Sequence, residues 1–331
     1  MPPELTDLAD HASELLDSQA YIGIPLALIG AVLLSIGTQF QHRGVAKVES
    51  SLGASGSGLS AGHLRALLVR PSWVFGTVML GVAIVFQLTS LWFAPLIVVQ
   101  PLGAIALVIT AILNARLSHT RLDSATVRSI LMCVLGVGAF VTIAAFTAEA
   151  RAITEVQLRT VLFILLGVLI LWGLLFFLFR KRARPMFYVV AAGTLFAFVA
   201  TLAKVVMGRI QTLIAADWRF SAADWLTLLC ILGLIVAALL GMYFVQSAHA
   251  NGPPDLVVAG LTVIDPLVAV AIGIIVLGEA ANAPTWAGVA FAVTGGVAVF
   301  GVYLLAKHHP QMNLDTESLP LRRGSKGSPR A

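Results

Sequence analysis

Charge is scarce in this chain. Only 11% of its 331 residues are Asp, Glu, Lys or Arg, whereas 59% are hydrophobic and the mean hydropathy is +0.94. Soluble domains carry about 25% charged residues, so this composition excludes a water-soluble core. It predicts a protein that lies almost entirely within a membrane.

Cysteine is equally scarce. Cys133 and Cys230 both lie inside apolar runs, with no second cysteine at metal-ligand or redox spacing, so we expect small buried hydrophobic residues. The seven histidines form no ligand set, and no nucleophile motif or phosphate-binding glycine loop occurs. We therefore expect no enzymatic activity and no cofactor.

What the chain has instead is nine apolar runs, at residues 21–41, 73–93, 95–114, 127–147, 158–179, 187–206, 225–248, 256–277 and 285–305. Each has about the 20 residues that a helix needs to cross about 30 Å of hydrocarbon. The first run follows an acidic segment without the basic start of a signal peptide, so we expect it to be a permanent span. The runs predict an all-α polytopic membrane protein with nine transmembrane helices.

The basic residues predict how these helices are oriented. Sixteen lie in the odd-numbered gaps and after the last run: Arg43, Lys47, Arg65, Arg70, Arg116, Arg121, Arg128, Arg180, Lys181, Arg182, Arg184, Lys307, Arg322, Arg323, Lys326 and Arg330. The other side has only Arg151, Arg159, Arg209 and Arg219. The positive-inside rule then puts the N-terminus outside and the C-terminus in the cytoplasm. The expected location is the cell membrane (inner or plasma). Anionic lipid and this rule account for the pI of about 9.6, so we expect no nucleic-acid partner.

Two parts of the chain resemble each other. Residues 95–141 align without gaps on residues 254–300, 159 positions later, with Pro95 over Pro254 and Gly136 over Gly295. The first run also aligns on the sixth, with Gln41 over Lys204. Because the aligned runs are five spans apart, they cross the membrane in opposite directions, as in the inverted repeats of alternating-access transporters.

These alignments divide the chain into segments. We expect an acidic extracytoplasmic segment at residues 1–20, a transporter domain at 21–306 and a disordered cytoplasmic tail at 307–331. Within the domain, repeat one covers residues 21–147, a linking helix 158–179 and repeat two 187–305.

The same segments resemble a known superfamily. RPSWVFGTVMLG (70–81) and FAPLIVVQPLGAIALVITAIL (93–113) are similar to the drug/metabolite transporters (DMT, EamA-like), nearest the NIPA-type magnesium transporters. In the second half IVLGEA ends in Glu279, an acid that superfamily members often carry, whereas the first-half equivalent is Thr120. The resemblance implies a polytopic transporter with a ten-helix plan from which the initial helix is missing. Glu279 itself lies near the outer end of its helix, where we expect it to be solvated, with a gate or an entry site as the alternative.

Arg128 and Arg159 are the second residues of their runs, and the two charges that lie deeper within the runs are Lys204 and Asp265. A charge at membrane depth is costly and is tolerated where it is paired, solvated or functional. Asp265 is too short and too central to reach the interface, which leaves a role in transport or a structural ion pair. Lys204 lies near the end of its run, so it either binds a partner or extends its stem to the interface.

Prolines and polar residues mark candidate binding positions near these charges. Pro266 would release the carbonyl of Thr262, and Pro101 that of Ile97. Helix breaks at corresponding points of two repeats indicate a midplane site, although kinks without a ligand also occur. Gln100, Thr110 and Asn114 share one face of the third run. Such a face lines a cavity or makes interhelical hydrogen bonds.

Three functions fit these features. The first is a secondary transporter of a small polar or amphipathic solute, with Asp265 as the binding or coupling acid. The second is a transporter of Mg²⁺ or another divalent cation of the NIPA type, with Asp265 as a metal ligand. The third is a non-transporting membrane scaffold, which predicts direct contact between Lys204 and Asp265. The expected partners are membrane lipids and the transported solute or ion, and a homodimer is compatible with the sequence.

Overall fold

The computed structural model describes residues 20–52, 67–117, 123–148, 153–179, 184–215, 224–251 and 254–308. Ten helices are found in this part of the chain: α1 (Ala20–Leu52), α2 (Pro71–Phe93), α3 (Leu96–Leu102), α4 (Ala104–Leu117), α5 (Ser124–Thr147), α6 (Glu155–Phe179), α7 (Pro185–Ala215), α8 (Asp224–Asn251), α9 (Pro254–Ile275) and α10 (Thr285–His308). The acidic segment up to residue 19 and the tail from residue 309 lie outside the described residues, so their expected roles stay predictions.

The helices agree with an all-α, multi-pass membrane protein. Eight stretches of the described chain are long and apolar enough to span a membrane, and Gly260–Ile275 within α9 is a shorter apolar helix. The third run is divided into α3 and α4, which together supply the candidate span Leu96–Leu113. The described residues contain no strand.

Local sequence explains several helix ends. α2 begins at Pro71, where the missing N–H costs nothing, and it ends just before Pro95. The Asp123 side chain caps α5 by accepting a hydrogen bond from the N–H of Thr126 (2.9 Å). Thr154 and Gln157 bond each other's backbone N–H at the start of α6, which is a capping box.

Glycines let the helices α1 and α2 approach closely. Gly23, Gly30, Gly37 and Gly44 recur at every seventh position of α1, and all four face α2 or the turn that follows it. A Cβ on Gly37 would lie 3.0 Å from the backbone oxygen of Gly76, and one on Gly44 2.6 Å from the Cβ of Trp73. Membrane helices lack a hydrophobic drive to associate, so this close packing supplies much of the attraction.

The helices α5 and α10 make a second backbone-to-backbone contact. A Cβ on Gly136 would lie 2.5 Å from the backbone nitrogen of Ala298, and one on Gly301 2.5 Å from that of Cys133. Both contacts involve main-chain atoms, which cannot move aside as a flexible side chain would. The α5–α10 pair therefore depends on the absence of these two side chains.

This contact gives a test with an internal control. Gly136→Ala should destabilise the protein by about 1–3 kcal/mol, because the added methyl must push α10 away. Gly138→Ala, two residues along α5, adds its methyl into open space and should leave the melting temperature in detergent unchanged or slightly higher. Equal melting temperatures for the two variants would contradict the packing described here.

Candidate functional site

The turn between α2 and α3 exposes backbone groups in a buried place. Pro95 forces Ala94 into an extended conformation (φ −125°, ψ 153°), which ends α2. Residues on both sides of the turn, including Leu91, Ala94, Leu96 and Ile97, are at most 1% exposed. The last carbonyls of α2 and the first N–H groups of α3 therefore need partners other than water.

Lys204 supplies the partners on the α2 side. Its Nζ donates hydrogen bonds to the backbone oxygens of Leu91 (2.7 Å) and Ala94 (2.8 Å), and the residue is 7% exposed. Gln211, further along α7, donates to the oxygen of Trp92 (2.8 Å). A cation is favourable here because the C-terminal end of a helix carries partial negative charge.

Glu279 supplies the partners on the α3 side. Its two carboxylate oxygens accept hydrogen bonds from the backbone N–H groups of Leu96 (2.7 Å) and Ile97 (2.8 Å). An anion suits this end because the N-terminus of a helix carries partial positive charge. Burial raises the pKa of the Glu279 carboxyl, whereas the two N–H groups and the charge of Lys204 act to lower it. We call Lys204, Glu279 and their four hydrogen bonds the turn clamp.

Two glycines make room for Glu279. Gly278 has φ +69°, a conformation that other residues rarely adopt, and it turns the chain back after α9. A Cβ on Gly273 would lie 2.8 Å from the Glu279 carboxylate, so a larger residue there would displace the carboxylate from the two N–H groups that it binds. In addition, Gln157 donates to the oxygen of Leu277 (2.9 Å) and so holds the end of this turn from α6.

The turn clamp corrects one expectation and decides between two alternatives. Glu279 is only 3% exposed, so the expectation that it is solvated was wrong. Of the two alternatives for Lys204, the structure shows the bound one: Lys204 donates to two backbone oxygens, and α7 continues to Ala215 beyond it. The sequence offered one signal for Glu279, the acid that superfamily members often carry after Gly278, but the apolar pattern gave no indication that it is buried.

Asp265 has no such partners. Its Oδ1 atom is fully buried and makes no hydrogen bond to any residue that the structure describes. Gly193 of α7 faces this point of α9, and a Cβ there would lie 2.8 Å from the Ile264 side chain and 3.4 Å from the backbone nitrogen of Asp265. Since Lys204 is bound to the α2 end instead, the ion pair with Asp265 that a packed scaffold would need is not formed.

The remaining predicted binding residues divide into three cases. Gln100 of α3 is 7% exposed, and its side chain makes no hydrogen bond to the described residues. Thr262 uses its hydroxyl on its own helix, donating to the oxygen of Val258 (2.8 Å). Thr110 is half-buried on α4, and the side chain of Asn114 lies outside what the structure describes. The helices α3 and α9 pack against each other, which puts Gln100 and Asp265 on neighbouring helices.

The two prolines act differently on their helices. After Pro101, α3 ends at Leu102 and α4 starts at Ala104, with Gly103 between them bonding back to the oxygen of Gln100 (3.1 Å). By contrast α9 runs without interruption through Pro266, where we expected a break. A membrane helix can lose one hydrogen bond to proline and continue when neighbouring helices hold it, and α7 packs along α9.

Comparison with known proteins agrees with this architecture. The family described as Magnesium transporter NIPA matches residues 18–311. The chain belongs to this family. This match confirms the NIPA branch that the motifs at residues 70–81 and 93–113 indicated. The protein is therefore a multi-pass membrane transporter. A protein of Corynebacterium glutamicum described as uncharacterized is 25% identical over 289 residues, which cover 86% of this chain and 95% of that one. No solved structure matches the chain.

The turn clamp can be tested as a coupled pair. Lys204→Met and Glu279→Gln should each destabilise the protein by about 1–3 kcal/mol, because each removes the charged partner of two buried backbone groups of the turn. The double variant should lose less than the sum of the two, since it leaves neither charge behind. Thermal unfolding in detergent measures all three, with Glu155→Gln in the exposed pair Glu155–Arg159 as a control of little effect. Additive losses would show that the two charges do not interact.

Proposed function

We propose that this NIPA-family transporter carries Mg²⁺ across the cell membrane by alternating access, and that Asp265 is its principal ligand. The observation that carries the proposal is the buried Asp265 Oδ1 atom, which lacks a hydrogen-bond partner among the described residues. A carboxylate in such a place is costly, because buried polar groups are nearly always paired. A cation that binds and leaves accounts for that unpaired state.

The groups near Asp265 suit a hard cation. Mg²⁺ takes about six oxygen ligands and usually retains several waters, so one carboxylate with a few neutral oxygens suffices. Pro266 has no N–H to bond the carbonyl of Thr262, and that oxygen lies one turn before Asp265 on α9. Gln100 on the neighbouring helix α3 has a free amide oxygen to add. The described residues contain no group of three or more His, Cys, Asp or Glu side chains that could hold a metal ion, so the proposed site has Asp265 as its one acid and completes its shell with neutral oxygens and water.

Lys204 does not oppose this site. A free ammonium near Asp265 would repel a dication, but Lys204 is bound to two carbonyls of α2 and interacts with the charge of Glu279. The charge of Lys204 is therefore used at the turn clamp and does not compensate Asp265.

The transport mechanism rests on two inverted repeats with nine spans, the N-terminus outside and the C-terminus in the cytoplasm. Helix packing supports the repeats: α1 packs along α2 in the first half as α7 packs along α8 in the second, and α5 packs against α10 between the halves. The proposal takes residues 21–147 and 187–305 as the two repeats, with α6 as the linking helix. Asp265 then lies in the second repeat, on a helix that packs against α3 of the first.

A second candidate is proton-coupled transport of a small polar solute, in which Asp265 exchanges a proton. The observation in its favour is that Asp265 has no ion-pair partner in the described part of the chain, so that a proton also relieves its charge. The two candidates differ in what the carboxylate binds.

The charge of Asp265 can be tested directly. In proteoliposomes that enclose a Mg²⁺-sensitive dye, Asp265→Asn should reduce the Mg²⁺ flux at least about tenfold, which corresponds to about 1.4 kcal/mol of lost stabilisation. The substitution keeps the size of the side chain and removes only the charge. Glu155→Gln removes an equal charge from the exposed start of α6 and should leave the flux unchanged.

The alternative predicts a different pattern in the same vesicles. If the chain couples a solute to protons, a Mg²⁺ gradient produces no flux in the unaltered protein, and an imposed pH gradient acidifies or alkalises the lumen only when the solute is present. Mg²⁺ flux that survives Asp265→Asn would reject Asp265 as the ligand.

A further inference from the structure

We propose that the turn clamp is a gate on the side of the membrane where the Ala94–Pro95 turn lies. Because the equivalent positions on the opposite side carry no such clamp, the resting carrier is closed on the clamped side. The inference rests on the inverted repeats of the proposed function. It concerns which side opens, and it does not depend on which cargo moves.

The turn clamp joins the two repeats. The backbone groups of Leu91, Ala94, Leu96 and Ile97 belong to the first repeat, whereas Lys204 and Glu279 belong to the second, so all four hydrogen bonds cross between them. Gln211 adds a fifth bond across the same boundary. When the repeats separate on this side during transport, these bonds must break.

The turn clamp also seals this side. The backbone atoms that it binds lie in residues that are at most 1% exposed, and Glu279 itself is 3% exposed. Gln157 of the linking helix fixes the end of the turn that carries Glu279. No water therefore reaches the start of α3 in this conformation, and the path towards Gln100 is closed from this end.

The repeat alignment puts no charged residue at the two positions that correspond to Lys204 and Glu279. The offset that places the first run on the sixth puts Gln41 at the position of Lys204, and the offset of 159 puts Thr120 at that of Glu279. Neither residue is charged. Gln41 donates its amide to the hydroxyl of Thr77 (2.9 Å), which belongs to its own repeat, so this bond does not join the halves.

The difference between the sides sets the resting state. Hydrogen bonds in which one group is ionised are roughly twice as strong as neutral ones, and the clamped side has four of them. Opening the clamped side breaks these bonds, whereas the equivalent positions on the opposite side offer no charge to break. The carrier without cargo is thus closed at Ala94–Pro95 and opens first on the opposite, predicted cytoplasmic, side.

Two reporter cysteines test this inference in the full chain. Gln100→Cys lies behind the turn clamp, and Thr110→Cys lies on α4, nearer the opposite side. The natural Cys133 and Cys230 are 0% exposed, so the protein without a reporter serves as the blank. A membrane-impermeant maleimide, added from one side of oriented proteoliposomes, measures the labelling rate of each reporter.

In the unaltered background, Gln100→Cys should resist labelling from the clamped side. When Glu279→Gln is added, the labelling rate of Gln100→Cys from the clamped side should rise at least about tenfold. This corresponds to a shift of about 1.4 kcal/mol in the equilibrium between the closed and open clamped side. The rate of Thr110→Cys from the opposite side should fall at the same time, because a carrier open on one side is closed on the other. Glu155→Gln is the matched control and should change neither rate.

Gln211→Ala removes a neutral bond and serves as a milder variant if Glu279→Gln does not fold. It should shift both rates in the same directions by a smaller factor. A rise at both reporters would overturn the gate, since it indicates a loosened bundle, and unchanged rates would overturn it as well. Mg²⁺ flux is measured in the protein without a reporter, because Gln100 is itself a proposed ligand. Reciprocal labelling without that flux would leave the gate standing with another cargo, whereas flux without reciprocal labelling would reject the gate alone.

Discussion

The structure depends on how a membrane helix can end inside a protein. When α2 stops at Pro95, its last carbonyls and the first N–H groups of α3 lie where no water can bind them. The chain satisfies them with one full positive charge and one full negative charge, each placed at the helix end of opposite polarity. Because both charges come from the second half of the chain, the same bonds that complete two helix ends also hold the halves together.

This arrangement separates two kinds of buried charge. Lys204 and Glu279 have all their evident partners in the backbone of one turn, and they attract each other. Asp265 lies on α9, and its buried Oδ1 atom has no hydrogen-bond partner among the described residues. Gly193 faces Asp265 from α7, and Lys204 lies eleven residues further along that helix, which is about 16 Å at 1.5 Å per residue. The two kinds of buried charge therefore occupy different levels of the bundle.

Hydropathy and proline positions were enough to predict the helical, multi-pass fold and the end of α2. They did not predict where Lys204 lies, because α7 continues beyond its apolar run through Arg209 and Gln211 to Ala215. They also failed for Glu279, whose burial depends on a turn at Gly278 and on N–H groups more than 180 positions earlier in the chain. Local patterns report the hydrophobicity of a segment, whereas these contacts depend on how distant segments are brought together.

The proposed repeats carry their charges unequally, and this bears on stoichiometry. The offset of 159 places Ala106 at the position of Asp265, so the first repeat has no acid at the equivalent position. The backbone oxygen of Ala106 instead accepts a hydrogen bond from the buried hydroxyl of Ser35 (2.8 Å), which joins α4 to α1 within the first repeat. In the proposed mechanism, the single acid Asp265 gives one binding site and the pair of charges at one turn gives one charged gate. The proposal therefore implies that transport moves one cation for each cycle of the repeats.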